Sequence, residues 1–193
     1  MSSKKRLVRI ALGMAVVTLL CIGTAWALLQ NGRADIAGNT TVASMTVASS
    51  SFKNGGAIPA RFSCDGANVS PDIQWSTPPA GTKSIAIVVD DSDTPLLFTH
   101  WLAYDIPAST HDIPEGASTP STRLAHAVEG TNNFGDVGYG GPCPPSGTHH
   151  YNFRIYALDV DLTLPPGQNK DQLADAVQGH ILAKGLITGV FSH

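Results

Sequence analysis

Ser84-Ile85-Ala86-Ile87-Val88-Val89 is a largely apolar run that leads straight into Asp90-Asp91-Ser92-Asp93-Thr94-Pro95. A short, β-branched apolar run closed by turn residues suits a strand buried on both faces. The flanking segments have the same texture. His100-Trp101-Leu102-Ala103-Tyr104-Asp105-Ile106 is a second strand candidate, ended by Pro107. Tyr151 to Leu158 alternates, with Tyr151, Phe153, Ile155 and Ala157 on one face. Met45 to Phe52, Ala57 to Phe62 and Ile73 to Trp75 are weaker strand candidates. Among 193 residues, 19 Gly and 13 Pro supply the turns that many short strands require, while only 14% of residues are charged. A hydrophobic content of 42% over this length is enough to bury a core.

Toward the C-terminus the periodicity changes. Asn169 with Gln172 three residues on imitates a capping box, and Asp171 favours a first helical turn. Leu173, Val177 and Ile181 then form a narrow apolar stripe, with Lys184-Gly185 as closing signals. The expected fold is mainly β: an antiparallel β-sandwich, residues 45–193, with a C-terminal α-helix docked on it.

The N-terminal 27 residues read differently. Lys4, Lys5, Arg6 and Arg9 precede an apolar run that ends in Ala25-Trp26-Ala27, the pattern of a secretory signal peptide cleaved after Ala27. The alternative is an uncleaved membrane anchor over residues 10–29, which carry no charge. Cys21 does not make this a lipidation site, because Leu20 stands where a small residue is needed. Residues 28–44, rich in Ala, Gly, Asn and Thr, read as a flexible tether. The chain is therefore expected to be exported, to the periplasm or outside the cell.

The leader holds four of the 12 basic residues and none of the 15 acidic ones, so the remainder has a balance of −7. No cluster of Lys and Arg survives to neutralise a phosphate backbone, which argues against nucleic acid as a partner. Two cysteines remain, Cys64 and Cys143. In an oxidising compartment they can form a disulfide, and two separately buried thiols are the other reading.

Three polar segments border the strands. Adjacent carboxylates in Asp90-Asp91-Ser92-Asp93 are costly to crowd unless a cation or a proton answers them, although Asp also caps turns before Pro. His100 opens one strand. Gly138-Tyr139-Gly140-Gly141-Pro142-Cys143-Pro144-Pro145 leads through Ser146-Gly147-Thr148 to His149-His150-Tyr151. Alternation places His149 and Tyr151 on one face and His150 on the other, so the two histidines cannot share an ion on a regular strand.

Together these segments resemble the phosphatidylethanolamine-binding protein family, in its bacterial Raf-kinase-inhibitor-like branch, from about Ser51 to His193. The matching residues are Asp65-Gly66 with Val69-Ser70-Pro71, Trp75, Asp91-x-Asp93-x-Pro95, His100-Trp101, the Gly138 to Pro145 run, Gly147-x-His149-x-Tyr151, and Gly179-His180 with Gly185. The resemblance implies antiparallel sheets and a shallow anion pocket built from Asp91, Pro95, His100, His149 and Tyr151, with Asp93 supporting the loop. Imidazole and phenol groups can hydrogen-bond anion oxygens, and histidine brings a pH dependence. Ser92, Thr94 and His150 depart from the family's proline, alanine and arginine, and the loop Leu96 to Thr99 is short.

The expected function is non-enzymatic binding of a small phosphate-bearing anion, without cofactor or metal. An exported module acting on an unidentified protein partner is the second reading. A metal-dependent hydrolase using Asp91, Asp93, His100 and His149 is the third, although no tightly spaced ligand set and no Gly-x-Ser-x-Gly elbow accompanies them.

Overall fold

The structure is a computed structural model that describes residues 35–38, 41–119 and 121–193. The expected leader over 1–27 lies outside the described residues, as does most of the segment 28–44. The chain divides into two compact units, Met1–Asn39 and Thr40–His193. What is described of the first is one turn, in which Gly38 N–H donates to the Asp35 carbonyl. Among the described residues no helix is long and apolar enough to cross a membrane.

The second unit is mainly β. Its strands are β1 (Ala43–Ser44), β2 (Val47–Ala48), β3 (Ile73–Trp75), β4 (Ser84–Asp91), β5 (Phe98–Pro107), β6 (Asp112–Ile113), β7 (Val128–Glu129), β8 (Thr148–Leu158) and β9 (Ile181–Ser192), with helix α1 (Lys170–Val177) between the last two. Ala43 and Ser44, at the end of the segment read as a tether, thus form a strand. One sheet has six strands in the order β1-β9-β8-β4-β5-β7, antiparallel except for the β1–β9 pair; the other has three, β2-β3-β6. All eight residues of β4 are buried, as the run Ser84 to Val89 requires of a central strand. Its Ile85, Ile87 and Val89 join Phe153 and Ile155 of β8, Ile187 of β9, and Ile73, Trp75 and Ile113 of the small sheet in one core.

Three expectations change. The run Ala57 to Phe62 is not a strand: after an isolated bridge from Ala57 to Val190, Pro59 opens a 3-10 turn over Ala60–Phe62. Only Val47–Ala48 of the run Met45 to Phe52 is a strand, because Ser49, Ser50 and Ser51 wrap around the Asp72 carboxylate instead. The helix carries its expected capping box at Asn169 and Gln172 and buries Leu173 and Val177. It stops at Val177, however, and Ile181 opens β9, the longest strand. Gly179, at φ 83°, makes the reversal that L side chains resist.

Candidate functional site

The adjacent carboxylates at the end of β4 point to opposite faces. Asp90, fully buried, receives Arg154 Nε and Lys170 Nζ at 3.3 Å each, with Asn152 Nδ2 at 3.3 Å. These cations answer the crowding that the sequence posed. Asp91 turns to the core face, level with Tyr151 on β8. One of its oxygens accepts the backbone N–H of Asp93 at 2.9 Å, and the other binds His149 Nδ1 at 2.6 Å. With both oxygens engaged and only 3% exposed, Asp91 orients His149 and caps the loop after β4.

His100 reaches the same place by an irregularity. Strict alternation would send it to the face opposite Trp101, which is in the core. The β4–β5 register instead runs from Val89–Trp101 to Asp90–Thr99, leaving His100 as the extra residue of a bulge. A bulge re-aims a side chain in this way. The His100 ring packs edge-on against Tyr151, with centroids 5.1 Å apart, and contacts Phe98 and Phe134. Its Nδ1 donates to the Gly140 carbonyl at 2.8 Å, which leaves Nε2 as the free ring nitrogen. Burial pulls its pKa below the ordinary histidine value, against the opposing pull of the Gly140 carbonyl and Asp91.

Tyr151 completes the cluster. It is 1% exposed, and its hydroxyl is buried with no hydrogen-bond partner of good geometry. Burial first, and then the Asp91 charge, push the phenol above its ordinary pKa against the opposing pull of the nearby Cys143 backbone amide, so it stays protonated throughout the physiological range. The fold thus brings Asp91, His100, His149 and Tyr151 together. Asp93 and Pro95 lie on the rim. Asp93 faces outward and accepts both the backbone N–H and Nδ1 of His150, at 2.6 and 2.9 Å, and Pro95 is exposed in the turn. Sequence reasoning missed Phe98, Phe134 and the Gly140 carbonyl. A neighbouring cleft of about 210 Å³, which shares Phe134 and Gly140 with the cluster, adds Cys64, Asn68, Asp136 and Tyr139.

Residues 48–192 match the family model described as phosphatidylethanolamine-binding protein. The chain belongs to this family. An Aquifex aeolicus relative, a UPF0098 protein, is 45% identical over 152 residues, covering 76% of this chain and 88% of its own. Escherichia coli YbcL, described as a new member of the mammalian family, superposes with a TM-score of 0.70 at 32% identity, over 77% of this chain and 98% of YbcL. A Mycobacterium tuberculosis protein named as a lipoprotein candidate, LppC, is 42% identical over 150 residues, covering 76% of this chain and 72% of its own. The likeness to YbcL sets the chain in the family's bacterial branch, and membership supports ligand binding as the general activity.

The departures from the family pattern are absorbed locally. Ser92 N–H donates to the His150 carbonyl at 3.1 Å. The Thr94 hydroxyl donates to the Asp91 carbonyl and accepts Phe98 N–H, stitching the short loop that a small alanine could not. His150 meets Asp93 on the exposed rim, in the place of the family's arginine.

Proposed function

We propose that this family member binds a small phosphate-bearing anion at Asp91, His100, His149 and Tyr151, and does not turn it over. One observation carries the reading: both pocket histidines commit Nδ1 to a fixed acceptor, which leaves their Nε2 atoms for a ligand, and the buried Tyr151 O–H in the same cluster donates to nothing. A buried polar group without a partner costs about 1–3 kcal/mol, which a ligand oxygen accepting from Tyr151 recovers. Neutral His100, with its proton on Nδ1, presents Nε2 as an acceptor for the P–OH of a singly protonated phosphate ester; protonated, it donates to the dianion. Either way protein and ligand share a proton. Asp91 holds His149 in place, while Asp93 and Pro95 shape the rim.

The same reading takes the two sheets as facing layers of a sandwich around their common core. It also places the protein outside the cytoplasm, in the periplasm or beyond. The leader pattern and the name of the LppC relative support that location, with residues 1–27 cleaved or residues 10–29 kept as an anchor.

The test is a histidine-resolved NMR titration of the protein with phosphorylethanolamine in metal-free buffer. Saturable shifts at His100 and His149 are expected, and in Tyr151→Phe and His100→Gln the His149 shift should need at least about tenfold more ligand to saturate. No saturable binding of any phosphate monoester between about pH 5 and 8 overturns the proposal.

A further inference from the structure

The loop that carries Gly140 is tied to the segment 62–68 at several points. Cys64 and Cys143 form a disulfide, with Cα atoms 5.5 Å apart. Cys64 N–H donates to the Pro142 carbonyl at 3.0 Å, Gly141 N–H to Asn68 Oδ1 at 2.7 Å, and the Tyr139 hydroxyl to the Phe62 carbonyl at 2.8 Å. Two further donor atoms stand beside the sulfurs. His193 Nε2 is 3.8 Å from Cys64 Sγ, and Asp65 Oδ1 is 4.0 Å from that sulfur and 3.2 Å from that nitrogen. The ligand atoms of Cys64, Cys143 and His193 all lie within 4.8 Å of one another. We propose that, once the disulfide is reduced, Cys64, Cys143, His193 and Asp65 form a four-coordinate zinc(II) site.

The distances support a tetrahedral ion. Zinc holds sulfur at about 2.3 Å and imidazole nitrogen or carboxylate oxygen at about 2.0–2.2 Å, so tetrahedral ligand atoms sit about 3.4–3.8 Å apart. Three of the six separations, at 3.2, 3.8 and 4.0 Å, are already close to that range. The sulfurs must part to about 3.8 Å, and the Asp65 carboxylate, which does not come within 4.8 Å of the Cys143 sulfur, must swing toward it. Rotation of these side chains can supply both movements while the backbone stays where the surrounding hydrogen bonds hold it. Two thiolates and an imidazole favour zinc over magnesium or calcium, which take oxygen ligands. Cys64, Asp65 and His193 are all exposed, so an ion can enter.

The chemistry balances with an external dithiol as reductant. It gives two electrons and two protons to the disulfide, yielding Cys64–SH, Cys143–SH and its own disulfide. Zinc then displaces both thiol protons, so its affinity falls as pH falls. Reoxidation expels the ion. The two loops are therefore held together in either state, by sulfur–sulfur bonding or by metal.

The experiment uses the full chain, reduced without oxygen by a phosphine, freed of reductant, and titrated with cobalt(II) as a spectroscopic stand-in. A thiolate-to-cobalt charge-transfer absorption saturating at one metal per chain is expected, abolished by one equivalent of zinc and absent from the oxidised protein. Cys64→Ser and Cys143→Ser should each weaken that absorption sharply. His193→Ala and Asp65→Asn should each loosen zinc at least about tenfold, the scale set by losing a ligand contact. Cysteines of an unfolded chain would bind metal with no regard for His193. Absence of the band, saturation at two chains per metal, or affinity indifferent to both His193→Ala and Asp65→Asn overturns the proposal. The outcome does not depend on the anion pocket.

Discussion

In the proposed anion site Tyr151 and His100 have different parts, a phenol that burial holds protonated at neutral pH and a ring whose pKa burial lowers. Removing the Tyr151 hydroxyl should separate stability from binding. Tyr151→Phe deletes a buried hydroxyl whose one polar neighbour, the Cys143 backbone, falls outside good hydrogen-bond geometry, so urea denaturation should find the variant within about 1 kcal/mol of the parent. Calorimetry should find its phosphate-monoester affinity at least about tenfold lower, since a hydrogen bond to a charged oxygen contributes about 1.5–3 kcal/mol. His100 sets the pH dependence. Its folded pKa is lowered, so it is neutral at pH 7 and gains its proton only in more acid solution. A ligand that shares one proton with it should therefore bind more tightly as pH falls from about 7.5 to 5.5, by up to about tenfold per unit. His100→Gln should flatten that dependence; an equally steep profile in the variant would assign the proton elsewhere. Asp72 tests the same logic in the fold. Burial alone would raise its pKa, but the Ser51 hydroxyl and the Ser50 amide outweigh burial and hold it at about 2. A lowered carboxylate stabilises the fold above its unfolded pKa and loses that contribution as pH falls toward the folded value. Asp72→Asn should thus cost about 1–2 kcal/mol near neutrality, and the difference from the parent should close below about pH 3.

The elements show which parts of the sequence could be read. β4 and β8 were legible because an unbroken apolar run and a clean alternation each have one physical explanation. The capping box at Asn169 likewise located the start of α1. What failed was the helix end: Ile181 continues the i, i+4 stripe of Leu173 and Val177, yet it belongs to β9. There the neighbours across the sheet outweigh local periodicity, and β9 must also lie close to two other segments. A Cβ on Gly185 would come within 2.5 Å of the Met45 carbonyl oxygen, and one on Gly189 within 2.5 Å of Ile58 Cγ1. A glycine inside a strand pattern marks such approaches, but it does not name what approaches. Gly185→Ala should cost about 1–3 kcal/mol, the range for overpacking, because the atom it meets is backbone and cannot swing aside. Hydrogen exchange should localise the loosening to β1 and the facing part of β9. The bulge at His100 was illegible for a related reason. It is created by the pairing of β4 with β5, and no residue type in the Thr99-His100-Trp101 run announces it.

For the whole molecule, the sequence motifs named the residues of the proposed site, while the tertiary structure shows which of them lie together and what surrounds them. Asp91 and His100 lie in one segment and His149 and Tyr151 in another far along the chain, and only the family resemblance gathered the two pairs in advance. Arg154 and Lys170 beneath Asp90, and Phe134 against His100, become visible only when β8, α1 and the 131–137 loop are in place. The Cys64–Cys143 link closes a separation of 79 residues across this assembly. A crosslink over so long a loop acts mainly on the unfolded chain, and native disulfides of this kind contribute about 2–5 kcal/mol. The Cys64→Ser/Cys143→Ser variant should therefore have a lower urea midpoint and a steeper denaturant dependence, because its unfolded state exposes more surface. Its folded state keeps the three hydrogen bonds from residues 139–142 to the 62–68 segment, which hold the Gly140 carbonyl against His100. Phosphate-monoester affinity should consequently stay within about threefold of the parent, well under the 1.4 kcal/mol of a tenfold change. A large loss of affinity in a variant that is still folded would mean that the disulfide itself positions the pocket, and that the hydrogen-bonded clamp alone is too weak to do so.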